Sequence, residues 1–119
     1  LYCENGAREI YDQIYGKWKD RFAIHVSGAR WVDINDFEST KGNAVQWLQE
    51  KYGITPEETV VFGDNYNDIS MMKRAARSYA SELSHPDIRA AAGRVAASYE
   101  KDGVLKVLKE ILTEVRDER

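Results

Sequence analysis

The stretch Val60-Val61-Phe62-Gly63-Asp64-Asn65-Tyr66-Asn67-Asp68-Ile69 decides how this chain is read. A short apolar run stops at a glycine, and two carboxylates follow four positions apart, with an asparagine beside the second. A run this short, bounded by turn residues, reads as a buried parallel strand over 59–63, and Ile69-Ser70-Met71-Met72 as part of a helix over 67–76. Asp64 is then expected at the carboxyl end of a strand, where open α/β sheets take their ligands. Carboxylates there suit a hard cation such as Mg²⁺, which keeps one or two protein oxygens and completes its shell with water and substrate phosphate oxygens. The spacing fits equally a turn aspartate followed by one favoured at a helix N-terminus, and it specifies no reaction.

Working outward, Arg77-Ser78-Tyr79-Ala80 and Val95-Ala96-Ala97 read as further short strands. His85-Pro86 opens a helix to about Ala92, and Asp102 is expected to cap a last helix with Val104, Leu108, Ile111 and Val115 on one face. On the N-terminal side, Ser39 or Thr40 can cap a helix carrying Ala44, Leu48 and Tyr52, which Gly53 ends. Thr55-Pro56-Glu57-Glu58 has the spacing of a capping box with Pro at the first helical position. Strands alternating with helices from residue 40 onward argue an α/β fold with a parallel sheet. About three strands are visible, fewer than such sheets usually contain.

Residues 1–37 have a different character. Ile10, Ile14 and Trp18 recur at helical spacing within 6–20, where Asn5 can cap. Ile24/Val26 and Val32/Ile34 then alternate on either side of Ser27-Gly28-Ala29, the signature of a β-hairpin. A helix and a hairpin of this size make little core of their own, so they must pack against something else.

Composition sets the bounds. The chain has 119 residues, a net charge of −3 and one cysteine, Cys3. That is about one domain, with no basic patch for nucleic acid, no internal disulfide and no stretch near the ~20 apolar residues of a membrane helix. A cytoplasmic protein is expected. His25 and His85 have no partner at metal-ligand spacing, and His85-Pro86-Asp87 reads as a helix start. Trp18, Trp31 and Trp47 read as packing residues, with Trp31 placed to touch a ligand from the hairpin.

Lys41, in Ser39-Thr40-Lys41-Gly42, adds a second line of reasoning. A lysine in the first turn of a helix opposes the dipole, and Gly42 is a poor helix former. Both make sense if the ammonium has a fixed anionic partner and the backbone must approach something closely. Lys41-Gly42, then Gly63-Asp64-Asn65-Tyr66-Asn67-Asp68 of the form G-D-x-x-N-D, then Asp102-Gly103-Val104 before the last helix, resemble the haloacid dehalogenase (HAD) superfamily of phosphohydrolases, in its Cof-type (IIB) sugar-phosphatase branch. The resemblance implies a partial Rossmann-like core with helices on both faces over 38–119, and the end of an α/β cap domain over 1–37. It implies Mg²⁺ as cofactor, with Asp64 as its ligand, and a small phosphorylated metabolite as substrate. Asn67 would bind the phosphate, Lys41 would bind phosphate and stabilise charge in the transition state, and Asp68 would hold Lys41 or a metal-bound water.

The same resemblance marks departures. Members begin with an Asp-x-Asp motif, whose first Asp attacks phosphorus and whose second is the general acid/base, followed by a Ser/Thr motif. Neither stands here; Asp33-Ile34-Asn35-Asp36 comes closest but precedes Lys41 too narrowly. The chain therefore reads as the C-terminal portion of such a phosphatase, inactive alone. Ser81-Glu82-Leu83-Ser84 departs from the Gly/Asn-rich residues the family often has. The alternatives are a non-catalytic regulatory or interaction module that keeps the α/β shell and, ranked below it, a phosphoacceptor receiver domain, which has its acidic pair first and its Lys late. The open edge expected along Val60-Val61-Phe62 points to self-association, to pairing with a missing N-terminal part, or to residues 1–37 folding over it.

Overall fold

The alternating runs near the N-terminus pair as expected. In the computed structural model, which describes residues 1–118, helix α1 (Ala7–Trp18) packs on an antiparallel hairpin of β1 (Ala23–Gly28) and β2 (Trp31–Asn35). Ile24 pairs with Ile34 and Val26 with Val32, placing branched side chains opposite each other. The register shifts between Val26 and Gly28, so the turn falls on Ala29 and Arg30 rather than on Ser27-Gly28-Ala29. Cys3, Ala7, Ile24 and Val32 form a small core, with Ile10, Ile14 and Trp18 against it. Asn5 does not cap α1: Gly6 holds that position at φ 110°, a conformation open to glycine, and it has no side chain to offer.

A second unit follows. Thr40 caps α2 (Lys41–Tyr52), its Oγ1 accepting from the Asn43 N–H at 3.1 Å, and Gly53 closes the helix in the left-handed conformation. Strands β3 (Val60–Gly63), β4 (Arg77–Ser81) and β5 (Arg94–Ala96) form a parallel sheet in the order β3-β4-β5. The Thr55–Glu58 capping box is present before β3. Between β3 and β4 the helix expected over 67–76 shrinks to a 3-10 turn, Tyr66–Asp68, and one α-helical turn, α3 (Ile69–Met72). The reason lies in the backbone groups that follow: the Arg74 carbonyl accepts from Gln49 Nε2, and the Ala76 N–H donates to the Pro56 carbonyl. They are committed to other elements and cannot extend the helix.

Helices lie on both faces of the sheet. On one, Val61 and Ala80 pack with Met72, with Ile88 of α4 (Pro86–Ala91), and with Ala92, and Val45 and Ile69 join them. Alternation along the strands turns Phe62 and Tyr79 to the other face, their rings stacked at 5.3 Å. There α5 (Gly103–Asp117) packs beside β5. Of the face expected only Ile111 turns inward, beside Gly103 and Val107, and Val104, Leu108 and Val115 are left exposed. Gly103 sets that roll, because a Cβ there would run into the Ala97 carbonyl. Asp102 stands at the start of α5 in the left-handed conformation, φ 54°, and makes no side-chain cap. Helix α2 likewise packs through Gly42, Val45 and Gln49, while Leu48 and Tyr52 are exposed.

Strand β3 has no second neighbour among the described residues, and the hairpin forms its own sheet instead of adding to that edge. No described helix is long and apolar enough to cross a membrane.

Candidate active site

The site assembles where β3 ends. Gly63 is required there by space: a Cβ would stand 2.5 Å from the Cβ of Asp68. That close approach folds the Tyr66–Asp68 turn back over the strand end and buries Asp68, 3% exposed. Asn65 opens the turn as a capping residue, its Oδ1 accepting from the Tyr66 N–H at 2.9 Å. Asp68 Oδ2 accepts from the N–H groups of Asp64 (2.9 Å) and Asn65 (3.1 Å). Its other oxygen accepts from Lys41 Nζ at 2.5 Å. Burial alone would raise the carboxyl's pKa, but the Lys41 ammonium and the two backbone donors outweigh it and hold Asp68 below its ordinary value.

Lys41 reaches this carboxylate because α2 is held against α3 by its first turn. The Gly42 N–H donates to Ser70 Oγ at 3.0 Å, and a Cβ on Gly42 would stand 2.5 Å from the Ser70 carbonyl oxygen. Both oddities of Lys41-Gly42 thus have a structural basis: an anionic partner, and a close backbone approach. The Lys41 side chain is 49% exposed, so its ammonium also faces solvent.

Asp64 is exposed at the carboxyl end of β3, and only its backbone is engaged by Asp68. Asn67 is half-buried, and its Oδ1 is buried without a hydrogen-bond partner among the described residues. This orphaned atom and the uncommitted Asp64 carboxylate are oxygen donors of the kind Mg²⁺ takes. The described residues contain no group of three His, Cys, Asp or Glu able to cage a metal. A cation here would therefore rely on one carboxylate plus oxygens from water and substrate, a shell that suits Mg²⁺. The structure thus brings Lys41, Asp64, Asn67 and Asp68 to one strand end, with Lys41 and Asp68 in direct contact.

Several participants went unread in the sequence. Ser70 gives no motif signal. Asn65 could have been found, since Asn65-x-x-Asp68 has capping-box spacing. Its Nδ2 also donates to the Ser27 carbonyl of β1 at 2.8 Å. At the end of β4, Glu82 Oε1 accepts from the Ser98 N–H (2.9 Å) and Lys101 Nζ (2.7 Å), so the departure at Ser81-Glu82-Leu83-Ser84 ties two loops together. His85 accepts from the Asp87 N–H at the start of α4 and meets the Tyr66 hydroxyl at 3.0 Å, while Trp31 and Trp47 are exposed.

Known proteins resemble this chain in sequence and in fold. The chain is 42% identical over 72 residues to the 5-amino-6-(5-phospho-D-ribitylamino)uracil phosphatase of Escherichia coli, a match covering 60% of this chain and 27% of that protein. A crystal structure from Streptococcus mutans superposes with a TM-score of 0.80 at 34% identity, covering 89% of this chain and 40% of that one. A HAD subclass IIB sugar phosphatase superposes with a TM-score of 0.80 at 29% identity, covering 90% of this chain and 41% of that one. The chain thus spans less than half the length of each of these relatives. The model of the haloacid dehalogenase-like hydrolases matches residues 2–108. With the glycine-sharpened strand end, the paired Lys41 and Asp68 and these likenesses together, the chain belongs to the haloacid dehalogenase-like hydrolase family, whose phosphatases are its relatives.

Proposed function

We propose that the protein is a Mg²⁺-dependent phosphohydrolase of a small phosphorylated metabolite, sugar-phosphatase-like, working through a phosphoaspartyl intermediate. The observation that supports this most is the Lys41–Asp68 pair beside the uncommitted Asp64 at the end of β3. Mg²⁺, when bound, would offset the negative charge of phosphate and carboxylates and polarise the phosphoryl oxygens. Asp64 would hold it, and Asn67 would hydrogen-bond a phosphate oxygen. Lys41, kept in place by Asp68, would point its remaining donors at the phosphoryl group as charge builds on it. The phosphoryl group would pass from the substrate oxygen to an aspartate carboxylate and then to water, with the departing oxygen taking a proton. Neither that aspartate nor an Asp-x-Asp motif lies within these 119 residues. On this reading residues 1–37 are the end of a substrate-selecting cap, 38–119 belong to the catalytic core, and the protein works in the cytoplasm.

The test is hydrolysis of a generic aryl phosphate by a protein that joins this chain to an Asp-x-Asp segment. Asp64→Asn should lower Mg²⁺-dependent turnover roughly 100-fold or more. Full activity in that variant, or activity indifferent to a chelator, removes Asp64 from the role. The 119-residue chain alone should be silent, because phosphate monoesters hydrolyse extremely slowly without a nucleophile.

We also infer that the chain by itself pairs with a second copy over the β3 edge and the outer side of α5. It exposes 8383 Å², against roughly 6,600 Å² for a compact monomer of this mass. That excess exceeds the ~800 Å² per partner that a standard interface buries. Val104, Leu108 and Leu112 form an exposed apolar row one helical turn apart, and Val104 lines one pocket with Phe62 and Tyr79. Sedimentation at micromolar concentration should give a dimer; a monomer there would refute the pairing.

A further inference from the structure

Asn65 stands between the two units of the molecule and bonds to both. Its Oδ1 caps the Tyr66–Asp68 turn, its own N–H donates to Asp68 Oδ2, and its Nδ2 donates to the Ser27 carbonyl in β1. Apart from bonds within the connecting residues 36–43, this last is the one hydrogen bond among the described residues that ties the helix–hairpin unit to the sheet unit. Elsewhere the units face each other across a cleft of about 590 Å³, with Arg8, Tyr11 and His25 on one wall and Tyr66, Ser70 and Asp87 on the other. One end of an open cleft is therefore bridged by a single side chain, and that side chain belongs to the turn that carries Asp64 and Asp68.

We propose that Asn65 is a positioning residue whose amide couples the seating of the helix–hairpin unit to the shape of the turn holding Asp64 and Asp68. The residue type follows from the two tasks. A capping oxygen is needed toward Tyr66 and a donor toward Ser27; Asp has no donor, and Ser caps but is too short to reach across. Because the same amide spans both contacts, moving the hairpin loads the turn, and anything that fixes the turn must steady the hairpin to the same extent. The link to cation binding rests on the reading of Asp64 above; the tether itself does not.

Asn65→Ser separates the two tasks, since it keeps a capping oxygen and removes the donor. The 119-residue chain and this variant are compared by ¹⁵N relaxation and by Mg²⁺ titration followed on the amides of residues 63–68. In the variant, residues 66–68 should stay as ordered as before, while α1, β1 and β2 should gain motion independent of the sheet unit. The Mg²⁺ midpoint should weaken about fivefold, the worth of one hydrogen bond. Unchanged motion of the hairpin would overturn the proposal. Weakened Mg²⁺ binding with the two units still tumbling as one would also overturn it, reducing Asn65 to a local cap. If the parent chain binds no Mg²⁺, the Asp64 reading falls and the relaxation comparison still decides the tether. Asn65→Ala, which removes both contacts, should loosen the turn as well as the hairpin.

Discussion

Two lysine–carboxylate pairs stand at the ends of neighbouring strands, and they differ in what surrounds them. After β3, Asp68 is 4% exposed at its side chain, takes Lys41, and gathers two backbone N–H groups of its own turn. After β4, Glu82 is 33% exposed, takes Lys101, and holds one N–H from the loop after β5. The first pair organises a turn from inside; the second pins one loop to another from outside. A carboxylate that is buried and multiply bonded cannot be removed without orphaning its partners, whereas water can replace most of what an exposed one does.

The sharpest way to break this comparison is Asp68→Ala. It leaves the N–H groups of Asp64 and Asn65 without an acceptor and frees Lys41, so about 2–4 kcal/mol of stability should be lost. Urea unfolding followed by Trp fluorescence measures it. A loss no larger than that of Glu82→Ala would mean that burial does not separate the two pairs.

Gly42→Ala probes the support under the first pair. Propensity alone favours alanine by about 1 kcal/mol. The close approach to the Ser70 carbonyl opposes it, because α2 must then move away from α3. A net loss of about 1–3 kcal/mol is expected, with Lys41 carried off Asp68. Neutral or improved stability would show that the α2–α3 contact yields easily.

These two sites were not equally legible. Gly42 and Lys41 announced themselves in the sequence because each is locally unfavourable, and a local cost signals a distant partner. The strand end was legible because Gly63 and Asp64 interrupt an apolar run. The inward faces of α2 and α5 were not. Periodicity chose Ala44/Leu48/Tyr52 and Val104/Leu108/Ile111/Val115, of which only Ile111 turns inward, whereas the helices pack through faces that begin at Gly42 and Gly103. Close backbone contact at a glycine fixed each roll, and periodicity weighs side-chain apolarity without seeing a missing Cβ. Glu82 was illegible because its partners, Ser98 and Lys101, come from another loop, and no spacing rule joins loops at neighbouring strand ends.

Acid sharpens the contrast further. Both carboxylates are held below their ordinary values, Asp68 against the opposing pull of burial and Glu82 chiefly by its hydrogen bond from Lys101. A depressed folded-state pKa adds stability that is fully present above the ordinary carboxylate range and disappears as pH falls through the folded value. The urea midpoint should therefore drop below about pH 4. Asp68→Asn, which cannot titrate, should flatten that acid limb clearly. An unaltered limb in Asp68→Asn would place the acid sensitivity in other carboxylates.

Glu82→Gln should have the smallest effect. Glutamine keeps an oxygen for the Ser98 N–H and loses only the charge facing Lys101, and that pair stands in solvent, where Coulomb attraction is weak and salt screens it. Near neutral pH its urea midpoint should lie close to that of the parent, and added salt should erase the remaining difference. The acid limb should flatten less than in Asp68→Asn, since fewer donors hold the charged form. What should respond is local: amide exchange at Ser98 should quicken if the charged oxygen is what keeps that N–H closed. A global loss as large as that of Asp68→Ala would instead mean that the β4 and β5 loops are one structural element, as tightly organised around Glu82 as the site turn is around Asp68.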